Sequence, residues 1–122
     1  MGETAVKGYV VDKKEDSKLV WIIGQLLDLP KCERRKLARG LWLVWNPGRP
    51  GGMAELIACR PGVNPSPKED GILLAAIKTA AKKRGKTAVV QMEPSIQTEG
   101  WGATRFMVRL VEQVSLFERK GE

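Results

Sequence analysis

Three tryptophans, Trp42, Trp45 and Trp101, lie close in sequence to Arg49, Arg60, Arg105 and Arg109. A run of bases spaced by four, Lys31, Arg35 and Arg39, leads directly into the first two rings. Indole rings offer flat π-faces, and guanidinium groups add a permanent charge that stacks on rings or grips phosphate. Gathered on one surface, these groups stack unpaired bases and neutralise a nucleic-acid backbone. Each also has a plainer reading. A tryptophan is usually core, a basic stripe is usually a solvated helix face, and tryptophan with arginine is equally favoured at protein–protein hot spots. A second reading therefore stands beside the first: an assembly module in which exposed tryptophans and Met107 form a subunit interface.

Other chemistry is sparse. The chain has no histidine, so the commonest general base and a Ser-His-Asp triad are excluded. No Gly-rich phosphate loop of the P-loop or dinucleotide type occurs. Glu55, Asp70, Glu93 and Glu99 are the carboxylates a metal-dependent nuclease would draw on, but their spacing matches no metal-binding pattern. Glu118-Arg119-Lys120 lacks the upstream acid of a nuclease core. The two cysteines, Cys32 and Cys59, form no CxxC pair and have no histidine to complete a zinc site. They read as small apolar residues of a reduced cytoplasm. These features point away from an enzyme, and neither cofactor nor metal is expected.

The 122 residues carry 21 basic against 14 acidic side chains, a formal charge of +7. That excess favours polyanionic partners, with solubility or thermal stability as the competing explanation. No run is long enough to span a membrane, and the N-terminus lacks a signal-peptide core. One domain over residues 1–122 is expected.

These side chains need a scaffold. Gly40 to Gly62 reads as a long-looped β-hairpin, two apolar runs around a Gly/Pro-rich break. Alternation on its first strand sets Leu41, Leu43 and Trp45 against Trp42 and Val44, so one tryptophan faces the core and one is left to stack. Before the hairpin, Leu19, Ile22, Ile23, Leu26 and Leu27 mark a helix over Lys18–Leu29, capped by Asp16 or Ser17 and stopped by Pro30. Trp21 falls opposite that apolar stripe. Lys31–Arg39 reads as a short helix with Pro30 at its first position and Gly40 as its C-terminal cap. Residues 1–15 read as an edge strand or a mobile arm.

After the hairpin, Ser66-Pro67-Lys68-Glu69 is a capping box that opens a helix to about Arg84, ended by Gly85. Lys86–Met92 reads as a strand. Pro94–Gly102 reads as a loop that carries Trp101, and Thr104–Leu116 as a strand in which Arg105, Met107 and Arg109 alternate with Phe106, Val108 and Leu110. Residues 117–122 are a tail. The fold class is α+β, with an antiparallel sheet of about four strands and helices packed mainly on one face.

In arrangement, the helical part Lys18–Arg39, the tryptophan-bearing hairpin 41–60, the helix 67–84 and the strands 86–92 and 104–116 resemble the ThermoDBP-related proteins. These are archaeal single-stranded DNA-binding proteins of hyperthermophiles that lack an OB-fold. The resemblance implies helices on a four-stranded antiparallel sheet. It also implies a cleft with an apolar floor and a basic rim for single-stranded DNA, with RNA as a variant, and assembly into a homo-oligomer. The zipper helix of ThermoDBP has no counterpart after Leu116, so an oligomer of this chain forms by other means. The residues expected at the cleft are Trp42, Trp45, Arg49, Arg60, Trp101, Arg105 and Arg109, with Lys31, Arg35 and Arg39 on its rim.

Overall fold

The computed structural model describes residues 13–37 and 40–112. In chain order it runs α1 (Lys13–Leu27), β1 (Glu33–Lys36), β2 (Trp42–Arg49), a 3₁₀ turn (Pro50–Gly52), β3 (Met53–Pro61), α2 (Pro67–Lys82), β4 (Lys86–Thr98) and β5 (Trp101–Glu112). The strands form one sheet of five in the order β1-β2-β3-β5-β4, antiparallel throughout. The α+β class and the antiparallel sheet are as the sequence implies, and the sheet gains a fifth strand.

That strand replaces the expected helix over Lys31–Arg39. Glu33–Lys36 pairs with Trp42–Trp45, and the Leu37 amide donates to the Leu41 carbonyl at 2.6 Å to close the turn. The physical reason lies in the basic stripe itself. Like charges spaced by four repel on a helix, whereas the edge strand sets Arg34 and Lys36 on one face, places Arg35 on the other beside Glu33, and satisfies its backbone against β2. Arg39 lies outside the described residues.

The helices α1 and α2 pack on one face of the sheet. Leu19, Ile23, Leu26 and Leu27 of α1 and Leu73, Ala76, Ile77, Ala80 and Ala81 of α2 are buried against Leu43, Trp45, Leu56, Ala58, Ala88, Phe106 and Val108 of the strands. The small alanines on α2 allow the helix to approach the sheet closely. The helix α1 begins at Lys13 rather than Lys18, so Asp16 and Ser17 lie inside it. Lys-Lys-Glu are good helix formers, and their propensity carries the helix past both capping residues. The remainder of the expected arm, residues 1–12, lies outside the described residues, as do residues 113–122.

The capping box forms as its sequence implies. The Glu69 amide donates to Ser66 Oγ at 3.1 Å, and the Ser66 amide donates to Glu69 Oε1 at 2.8 Å. The expected loop over Pro94–Gly102 is instead a continuation of the sheet. The strand β4 passes through a bulge at Pro94–Ser95, where the pairing shifts register and Ser95 takes φ 56°. It then turns at Glu99–Gly100, with Gly100 at φ 77°. Proline is tolerated there because β4 is an edge strand and the bulge removes the need for its amide. No described helix is long and apolar enough to cross a membrane.

Candidate nucleic-acid interface

Antiparallel pairing places directly opposed residues on the same face, so register identifies the face that the helices leave open. Lys36, Trp42, Cys59 and Ala103 form one row across it. Arg34, Val44, Ile57, Arg105 and Glu93 form the next, followed by Asn46, Glu55, Met107 and Gln91. Trp101, opposite Pro61, and Arg109, opposite Val89, extend this face along β5. Neither described helix lies on it.

Trp42 and Trp45 separate as alternation requires. Trp45 is 2% exposed, and its indole N–H donates to the Leu29 carbonyl at 3.0 Å, pinning the end of α1 to β2. It belongs to the core and leaves the set of stacking residues. Trp42 is half-buried on the open face. The Arg34 guanidinium carbon and Lys36 Nζ each lie 5.9 Å from its ring centroid, within cation–π range. Both cations come from β1, whose strand geometry points them to the open face. Residue type does not alternate in Glu33-Arg34-Arg35-Lys36; it is the pairing with β2 that separates Arg34 and Lys36 from Arg35.

Trp101 begins β5 rather than sitting in a loop, and it is 38% exposed. The rings of Trp42 and Trp101 rise from the same face, two strands apart and two residues out of row. Sheet spacings put their Cα atoms roughly 12 Å apart.

The expected arginines divide. Arg60 points to the helix face, where it forms a bidentate ion pair with Glu69, one arm being Nη1 to Oε1 at 3.2 Å. It ties β3 to the start of α2 and is not part of the open face. Arg35 also turns to the helix side, donating to Gln25 Oε1 at 3.2 Å and to Glu33 Oε2 at 3.3 Å. Arg105 is on the open face but is held by two carboxylates, Glu93 Oε1 at 2.6 Å and Glu55 Oε2 at 3.2 Å. Glu93 first and Glu55 second raise its affinity for its proton still further. Glu55 itself is buried and accepts from Asn46 Nδ2 at 3.0 Å. The centre of the face therefore holds one carboxylate more than guanidinium.

The basic character sits at the margins. Arg34 and Lys36 lie along the β1 side, with Lys31 in the preceding turn, Arg49 at the hairpin end and Arg109 on β5. All five are exposed and have no acidic partner among the described residues. Cys59, opposite Trp42, has its thiol pushed up by burial, so it is an apolar neighbour of the ring and not a reactive thiolate. Glu55 and Glu93 are engaged with Arg105, and Asp70 is buried on α2. Among the described residues no cluster of three or more acidic or cysteine side chains could hold a metal ion. No family model, curated protein or solved structure matches the chain.

Proposed function

We propose that the open sheet face binds single-stranded nucleic acid without strong sequence preference, DNA in the first instance and RNA as a variant. The observation that carries this reading is Trp42, half-buried on a sheet face that neither described helix covers and flanked by Arg34 and Lys36 at 5.9 Å. A ring held in place by cations, on a rigid strand, is prepared both to stack a base and to meet the phosphate beside it. Trp101 supplies a second ring along the same face. Arg109, Arg49 and Lys31 supply further charge, and Val44, Ile57 and Met107 form an apolar floor between the margins. The reading agrees with what the resemblance to the ThermoDBP-related proteins implies.

A specific observation favours the assembly alternative. The Glu55–Arg105–Glu93 network puts negative charge in the middle of the face, where a phosphate backbone is repelled and a basic protein patch is not. Titration of the intrinsic tryptophan fluorescence with a short single strand, beside the matching duplex, separates the two. Quenching by the single strand with little response to duplex supports nucleic-acid binding. No quenching at low salt overturns it.

A further inference from the structure

The two edges of the sheet are built differently. The strand β1 is 4 residues long and every one is charged, which is a common protection against an intruding strand. The strand β4 is 13 residues long, and no strand lies on its outer side among the described residues. From Thr87 to Met92 it carries no charge. The two charges that bracket this run are both engaged within the chain, Lys86 with Glu112 and Glu93 with Arg105. Val89 is 46% exposed on the open face, and Met92 is 38% exposed on the helix face. Apolar surface therefore borders the edge on both sides. The bulge at Pro94–Ser95 interrupts the strand only beyond the uncharged run. Unpaired backbone donors and acceptors along such an edge are a template for another strand.

We infer that β4 pairs antiparallel with β4 of a second copy of this chain, joining two five-stranded sheets into one across a two-fold axis near Val89. Pairing of this kind is isologous and closes at two subunits. Centred on Val89, it sets Val89 against its own copy, Ala88 against Val90 and Thr87 against Gln91. Each pair shares a face, as antiparallel strands require. Lys86 falls opposite Met92 and Glu93 opposite Gly85, so no like charges are opposed. A foreign peptide finds no free charge on this edge to select it, whereas the strand is complementary to itself. The axis stands perpendicular to the sheet, so both open faces lie on one side and the two Trp42 residues share one continuous surface. The pairing stands whether or not that surface binds nucleic acid.

Sedimentation equilibrium of the full chain is expected to give twice the chain mass. Val89→Lys, which opposes two lysines at the axis, is expected to halve it while circular dichroism and cooperative melting are retained. In the unaltered protein, amide exchange over 87–92 is expected to slow as concentration rises through the association range. A monomer at the highest soluble concentration overturns the proposal. So does a dimer that Val89→Lys leaves intact, or exchange in β4 that does not respond to concentration. Protection of 87–92 in a monomer would instead place another segment of the same chain on this edge. If Val89→Lys does not fold, the exchange measurement on the unaltered protein decides alone.

Discussion

Trp42 and Trp45, close neighbours on one strand, have opposite environments, and substitution should separate them. Removing the Trp42 ring should weaken single-strand binding by about 1–3 kcal/mol, roughly 5- to 150-fold in Kd, with little loss of stability. Arg60 makes the converse test. Its partner Glu69 is almost fully buried, and breaking a buried pair from one side costs about 3–5 kcal/mol. Arg60→Ala should therefore lower the melting temperature sharply while the folded protein binds as before. Asp70 adds a pH dependence. Burial pushes its carboxyl above the usual aspartate range, the Thr104 hydroxyl opposes the shift, and the Glu69 charge adds to it. A raised folded-state value means that the folded chain holds this proton more tightly than the unfolded chain. The stability from this group is then full below the ordinary aspartate range and is lost as pH rises through the raised value. Asp70→Asn should melt at a higher temperature than the unaltered protein at neutral pH, and the gain should vanish in acid.

At the scale of elements, one loop contact is decisive. A β-carbon at Gly102 would overlap the backbone of Val63 and Asn64, so the loop after β3 can close over β5 only if this residue is glycine. Gly102→Ala should destabilise by about 1–3 kcal/mol or more, read by denaturant unfolding. How legible each element was in the sequence follows from where its signal resides. The helix α2 announces itself because its cap is local chemistry, Ser66 and Glu69 serving each other's amides. The faces of β5 are legible because arginines alternate with large apolar residues. The strand β1 is not, because Glu33-Arg34-Arg35-Lys36 has no apolar periodicity and is extended only through its pairing with β2. The continuation of β4 past Pro94 is hidden for a related reason. Its bulge is bracketed by pairing across the next turn, Glu93 with Arg105 and Ile96 with Ala103, and that pairing, not the residue types at Pro94–Ser95, keeps the strand going. The same limit governed the site: Arg34 and Lys36 become partners of Trp42 only once β1 is a strand.

Across the whole molecule, the excess of +7 is not spread evenly over the open face. Its centre is occupied by carboxylates matched to Arg105, and its free cations stand at the margins beside Trp42 and along β5. A strand bound there would follow the basic margin rather than cross the middle. If two molecules join through β4, the two β1 margins lie at the far ends of one extended sheet and the two Arg109 residues lie near its centre. Binding of this kind must release counterions, with a log–log salt slope of about −0.7 for each phosphate neutralised on a single strand. The most direct test is the salt dependence of single-strand affinity for the unaltered protein and for Arg34→Ala with Lys36→Ala. Nucleic-acid binding along this margin requires a steep slope for the former and one shallower by about 1.4 for the latter, two contacts at about 0.7 each. An affinity that ignores salt, or a slope that the double substitution leaves unchanged, would contradict it.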